Sequence, residues 1–216
     1  MATAAKKLEP ESAKTSLLPM FVKLQGRPVL VVGAGKVGEP KIRALLETGA
    51  SIRVVALQAG EAVREWARSG LLVLEERAFL PGDLDGVFLA VIATQRQELN
   101  ELAYTEAQRR GVLCNVVDVP EKCDFYYPAI VQRGDLQIAI STSGQSPALA
   151  RHLREQLETQ FGPAYADWVA ELGETRRAIL NSNLTTDQKR ELLMSLASRP
   201  AFEQMLAANS TAGETA

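Results

Sequence analysis

The sequence predicts an α/β chain in which a doubly wound parallel sheet is followed by a β-hairpin and a small helical domain. Apolar strands and amphipathic helical segments alternate from about residue 25 to residue 118. A short antiparallel pattern then replaces the alternation, and from Pro147 onward apolar residues recur at spacings of three and four. The 216 residues suffice for one full domain with a smaller appendage.

From Pro28 the chain reads PVLVVGAGKVGEPKIRALLETGA: a continuous apolar strand, a glycine turn, then Val37, Ile42, Leu45 and Leu46 at helical spacing. After Gly49, SIRVVAL is a second short strand, which gives a right-handed βαβ unit with parallel strands. Glu61 to Arg68 is amphipathic. LLVLEE, a PGDLDG turn and the apolar run Val87 to Thr94 follow, then a helix from Glu98 to Arg110, stopped by Gly111, and a buried strand from Val112 to Val117. FYYPAIVQRGDLQIAISTSG reads as two strands, Phe125 to Gln132 and Leu136 to Ser141, joined by Arg133-Gly134-Asp135. The helical part breaks at Gly162-Pro163, around Asn181 to Asn183, and at Pro200, and its Leu149, Leu153 and Leu157 read as packing residues. The expected organisation is a disordered arm over 1–16, a sheet domain over 17–118, a hairpin segment over 119–146, a helical domain over 147–208 and a disordered tail over 209–216.

With 24 Lys+Arg against 26 Asp+Glu, the formal net charge is -2, so no global basic field exists to hold a nucleic-acid backbone. The amino terminus lacks the apolar core of a signal peptide and no 18 apolar residues run together, so neither export nor a membrane span is expected. Cys114 and Cys123 lack the close pairs or histidine partners of a zinc site and are too few for a disulfide framework, which fits a reducing cytoplasm. No metal site is expected. Cys114, within a strand, reads as core; Cys123, between Lys122 and Asp124, reads as exposed. His152, the only histidine, reads as a surface or interface residue.

Gly33-Ala34-Gly35-Lys36-Val37-Gly38 is the pattern G-x-G-x-x-G, set directly after a predicted strand and at the opening of a predicted helix. In that setting the glycines serve a tight turn, close approach of backbone to a pyrophosphate, and packing of helix on strand, as in a Rossmann-like dinucleotide domain. Pro40 requires a helix that starts at about Lys36 or later. The second strand ends Arg53-Val54-Val55-Ala56-Leu57-Gln58, without the acid that usually grips the adenosine ribose. Gln58 is a substitute hydrogen-bonding group and Arg53 a partner for a 2′-phosphate, so NAD and NADP both remain open. Asp118 ends the last strand of the alternating part, where such sheets bind their ligands; the alternative is an acid that merely punctuates a turn.

The segments LLPMFVKLQGRPVLVVGAGKVG, FLAVIAT with Asn100 six residues after Thr94, CNVVDVP and FYYPAIVQRGDLQIAISTSGQSPALARHLREQLE together resemble the precorrin-2 dehydrogenase family, the amino-terminal module of siroheme synthases, over about residues 17 to 180. The resemblance implies NAD-dependent oxidation of precorrin-2 to sirohydrochlorin, in some members also insertion of ferrous iron, by a homodimer. It further implies that Lys36, Val37, Leu57 and Gln58 lie on the NAD and that Asp118 is the catalytic acid. Gly33, Gly35, Gly38, Thr94 and Asn115 complete the expected cofactor set. The family often has Ala at Gly38, which suggests a harmless change, while Pro40 departs from its usual polar residue. The length leaves no room for the carboxyl-terminal methyltransferase domain common among relatives.

A tetrapyrrole rich in carboxylates needs donors. Ser146 before Pro147 predicts a capped helix start, and Ser141, Thr142, Ser143 and Ser146 are the expected substrate contacts. Lys122, Arg133, Arg151 and Arg154 are further partners or, singly, solvated surface charges. Phe125, Tyr126, Tyr127 and Ile130 on the hairpin predict an apolar edge that a second copy covers. The rival accounts are a module that binds NAD for regulation without catalysis, and a chelatase that has lost NAD use.

Overall fold

Val29 to Val32 are buried one after another because both faces of their strand are covered, which is why the run carries no polar alternation. In the computed structural model, which describes residues 17–213 and the side chains of 17–207, this strand is the centre of a five-stranded sheet. The strands are β1 (Pro28–Ala34), β2 (Ser51–Ala59), β3 (Val73–Glu76), β4 (Leu89–Ile92) and β5 (Leu113–Val116), ordered β3-β2-β1-β4-β5 with every neighbouring pair parallel. Crossovers are made by α1 (Gly38–Leu46), α2 (Glu61–Arg68) and α3 (Gln97–Arg110), the last ended by Gly111 in the left-handed conformation. The strand order reverses between β1 and β4. Leu30, Val32, Val55, Leu84, Ile92 and Val116 belong to the core cluster.

Between β3 and β4 a single 3-10 turn, Pro81–Leu84, takes the place of a crossover helix. Charge holds it. Asp83 is 5% exposed and accepts hydrogen bonds from Arg77 at 2.6 and 2.8 Å, from Arg53 at 3.1 Å and from the Leu80 N–H at 2.8 Å. Arg77 also donates to Glu75, and Arg53 lies 3.5 Å from the same carboxylate. Arg53 is therefore committed to this network and does not serve as a partner for a 2′-phosphate.

The chain divides into two compact units that part between Tyr126 and Tyr127, not at the expected boundaries of 118 and 146. The turn after β5 stays with the sheet, and the hairpin groups with the helices. In the second unit, β6 (Ala129–Arg133) and β7 (Leu136–Ile140) pair antiparallel. Residues Phe125 to Pro128, expected as strand, are not part of β6. Arg133 pairs with Leu136, so the connection is the two residues Gly134-Asp135, one shorter than expected. Arg133 is not a solvated charge: it donates to the carbonyls of Phe161 at 2.8 Å and Glu158 at 3.2 Å, closing the end of α4 (Pro147–Gln160).

Three more helices follow, α5 (Tyr165–Leu180), α6 (Thr186–Leu196) and α7 (Arg199–Gly213). The breaks at Gly162-Pro163 and at Asn181 to Asn183 fall between helices, whereas Pro200 is the second residue of α7 and opens it. Tyr165 and Phe202 stack with centroids 4.2 Å apart, and Trp168 lies 4.8 Å from Phe202, forming the small aromatic core of this unit. Leu153 and Leu157 are half-buried, but Leu149 is 48% exposed and does not pack as expected. Helix α7 reaches Gly213, so five residues assigned to a disordered tail are helical; the arm over 1–16 and residues 214–216 lie outside the described residues.

Replacing Asp83 with Ala leaves two guanidinium groups and the Leu80 N–H without their shared acceptor, and should cost about 2–4 kcal/mol in urea unfolding. Hydrogen bonds from Arg77, then from the Leu80 N–H, hold the Asp83 carboxyl below its ordinary value of 3.8. The contribution is thus complete above that value and is lost as pH falls through the lower folded-state value, so the gap between wild type and Asp83→Ala should narrow in acid.

Candidate active site

Where the strand order reverses, the carboxyl ends of β1, β4 and β5 leave a small cavity of about 110 Å³ between Val37, Ala93, Thr94, Gln95, Val117 and Asp118. The glycine loop forms its near wall. Gly33 has φ 102, and a Cβ there would collide with the Ala93 carbonyl oxygen; a Cβ on Gly38 would collide with the Gly33 carbonyl oxygen. A Cβ at position 38, where the family often has Ala, therefore fits here only if the loop backbone shifts. Gly35 differs: nothing lies within 4 Å of a Cβ built on it, so the missing side chain leaves room for something from outside the chain.

Helix α1 starts at Gly38 behind Val37, which provides no side-chain cap; in its first turn the Glu39 N–H donates to the Gly35 carbonyl at 2.9 Å and Pro40 has no N–H to offer, so the favourable end of the helix dipole is what an anion meets there. Pro40 is third in the helix, a place where an N–H would have no intrahelical partner anyway, and this accommodates it. Lys36, Val37, Leu57 and Gln58 are exposed around the carboxyl ends of β1 and β2. An uncapped helix start, a bare Gly35 and exposed strand ends together fit a dinucleotide.

Asp118 stands in a turn closed by a hydrogen bond from the Val119 N–H to the Val116 carbonyl, 3.1 Å. Its φ is 64, left-handed, in the third position of the turn, where glycine is the usual residue. An exposed carboxylate is thus retained at a strained position, a pattern concentrated at functional sites. The loop is clamped from behind. Asn115 is 6% exposed and donates to the Phe125 carbonyl at 2.7 Å; it also bridges to Cys123 as an isolated antiparallel pair. Asp124 accepts from the Cys114 N–H and from the Gln108 side chain, both at 2.8 Å. Asn115 therefore frames the Asp118 loop, a use that strand periodicity alone did not reveal. Thr94 donates to the Asn100 side-chain oxygen at 2.5 Å, and Asn100 returns a 3.1 Å bond to the Thr94 carbonyl, fixing the far wall.

Burial pushes the Cys114 thiol up to about 12. Cys123, expected to be exposed, is half-buried with its sulfur 3.2 Å from the carbonyls of Val116 and Val119, and burial raises its thiol too. Neither is an activated nucleophile. Lys41 was missed in the sequence: burial lowers the pKa of its ammonium group while the charge of Asp118 opposes that effect. The available signal was its position, one helical turn after Val37 on the same face. A wider cleft of about 560 Å³ opens at the opposite, amino-terminal ends of the strands. In it Arg110 pairs with Asp85 at 3.0 Å, and Arg27 lies over the Phe88 ring at 4.3 Å.

In the second unit, Ser146 caps α4 by accepting from the Leu149 N–H at 3.2 Å, as predicted. The Ser141 and Thr142 hydroxyl oxygens accept from the N–H groups of Ser143 and Ser146 at 3.1 Å, and Ser143 and Gly144 are both left-handed. The loop is ordered by its own hydroxyls, and Ser143 is exposed. The other cations suggested for substrate carboxylates are paired, Lys122 with Glu101, Arg151 with Glu155 and Arg154 with Glu158; His152 is exposed. Among the described residues no group of three or more His, Cys, Asp or Glu is placed to hold a metal ion.

Sheet order, glycine loop and switch-point cavity define a dinucleotide-binding α/β protein. Residues 20–129 match the family model of NAD(P)-binding proteins, and residues 133–160 match the model of the sirohaem biosynthesis protein central region. The chain belongs to this NAD(P)-binding family, in its siroheme-synthase line. It is 40% identical over 162 residues to Siroheme synthase 2 of Pectobacterium atrosepticum, covering 75% of this chain and 35% of that one. To Siroheme synthase 1 of Serratia proteamaculans it is 38% identical, over 90% of this chain and 41% of the other. It thus spans well under half the length of these relatives. The solved structure of SirC, precorrin-2 dehydrogenase, superposes with a TM-score of 0.75 at 29% identity, over 89% of this chain and all of that one.

The two kinds of glycine should separate experimentally. Gly38→Ala is expected to cost about 1–3 kcal/mol of stability through overpacking. Gly35→Ala should melt like wild type yet lose about tenfold or more in NAD+ affinity, read by fluorescence titration.

Proposed function

We propose that this chain oxidises precorrin-2 to sirohydrochlorin with NAD+, in the cytoplasm, with Asp118 as the group that handles the proton. The observation that carries the reading is the exposed carboxylate of Asp118, held left-handed in a clamped turn and sharing one cavity with Val37 of the dinucleotide loop. The family membership and the likeness to a precorrin-2 dehydrogenase support it. Bound NAD+ would supply the hydride acceptor. The chain's own part is to hold the macrocycle, keep the glycine loop open to the pyrophosphate, and present Asp118 to the proton that leaves a neighbouring position. Gly33, Gly35, Lys36, Val37, Gly38, Leu57, Gln58 and Thr94 are its cofactor residues in this reading, with Asn115 supporting the Asp118 loop. The hydroxyl loop Ser141 to Ser146 offers donors to substrate carboxylates.

Iron insertion into sirohydrochlorin, with Fe2+ as substrate, would use the same carboxylate to take pyrrole protons and is proposed as a second activity. The working unit is proposed to be a homodimer: β6 and β7 form a two-stranded sheet of their own, with Ile130 45% exposed.

The test is an anaerobic absorbance assay of precorrin-2 with NAD+, repeated with ferrous iron and sirohydrochlorin. Asp118→Asn is the informative variant because Asn tolerates the left-handed turn, whereas Ala would add backbone strain. It should fold as wild type and lose about 100-fold or more in kcat, in keeping with loss of a general acid or base. Full activity in Asp118→Asn would remove the carboxylate from the chemistry, and a wild type that binds NAD+ but turns nothing over would favour a regulatory module. Asp118→Gly should be inactive and at least as stable as wild type.

A further inference from the structure

We propose that Glu76 makes the site select against a 2′-phosphate on the adenosine ribose, both by standing as a carboxylate beside the end of β2 and by holding the Arg64 guanidinium. The inference rests on the dinucleotide reading above. Strand β2 ends without its own acid, and Arg53 is tied to Asp83 near the other end of the strand. Glu76 is the last residue of β3, in register with Ala56, and the Ala59 backbone helps to hold its carboxyl below the ordinary range. The neighbouring strand thus supplies, at the end of β2, the carboxylate that β2 lacks. Arg64 of α2 donates to both oxygens of Glu76, at 2.7 and 3.3 Å. From the α1 side, Glu39 brings a carboxylate oxygen to 3.5 Å from where a Cβ on Gly60 would stand.

A ribose with free hydroxyls finds acceptors here. A 2′-phosphate meets two carboxylates, and the guanidinium beside each is already engaged, Arg64 by Glu76 and Arg43 by Glu39 at 3.2 Å. The pair is about two-fifths exposed on each side, so it contributes little to folding and its loss leaves the sheet intact. Arg64 hydrogen bonds also keep the Glu76 carboxyl below its ordinary range, so it is charged at neutral pH. Removing the Glu76 charge deletes one repulsion and frees a guanidinium suited to phosphate.

The experiment is calorimetric titration of the full chain with ADP-ribose and with 2′-phospho-ADP-ribose. Wild type should favour ADP-ribose by about tenfold or more. Glu76→Gln should improve binding of the phosphorylated ligand by about tenfold, and the double variant Glu76→Gln/Arg64→Ala should lose most of that gain. An unchanged ligand ratio in Glu76→Gln would overturn the inference and leave the dinucleotide site standing. A gain that survives loss of Arg64 would overturn the part given to the guanidinium. Absence of binding of either ligand to wild type would bring down the dinucleotide reading and this inference together.

Discussion

At the end of β1, backbone meets backbone with no side chain between. Gly33 lies against the Ala93 carbonyl of the strand beside it, and Gly38 lies against Gly33 itself. That contact brings the turn after β1, the turn after β4 and the first turn of α1 into one place, and two glycines are the only means of achieving it with this geometry. The rest of the site follows. The helix start faces the cavity, Gly35 stays bare, and Val37 becomes a wall shared with Asp118, the residue in the turn that follows β5.

That residue is held by a different kind of constraint. Asp118 occupies a left-handed position by virtue of a short loop that folds back on β5, with Asn115, Cys123 and Asp124 supplying the ties. The strain of an Asp in such a turn is on the order of 1–2 kcal/mol and is carried by these bonds. The result is a carboxylate on a fixed backbone position and open to solvent. Rigid placement of the backbone with an accessible functional group is what proton transfer at a crevice requires.

Elsewhere the charges mostly answer one another. Asp83 gathers Arg53 and Arg77 in place of a crossover helix, Arg133 closes α4, and the arginines of that helix pair along its surface. Cations that looked free for substrate in the sequence are thereby occupied within the chain. The hydroxyl loop before α4 remains the better source of donors in the second unit, since its N–H groups and hydroxyls are arranged around left-handed Ser143 and Gly144.

Local patterns fixed a large part of this outcome. Unbroken apolar runs marked the parallel strands, Gly111 and Ser146-Pro147 marked helix ends, and the glycine loop with Asp118 marked the crevice, because each of these depends on backbone preference or burial within a few residues. What depended on distant contacts was out of reach. The commitment of Arg53 to Asp83, thirty positions away, decided that it is no phosphate partner. The use of Asn115 as a tether, the half-burial of Cys123, the proximity of Lys41 to Asp118 and the meeting of Glu76 with the end of β2 are likewise set by which strands lie side by side. A sequence records what a residue offers; strand order and the turns between elements decide which partner receives it.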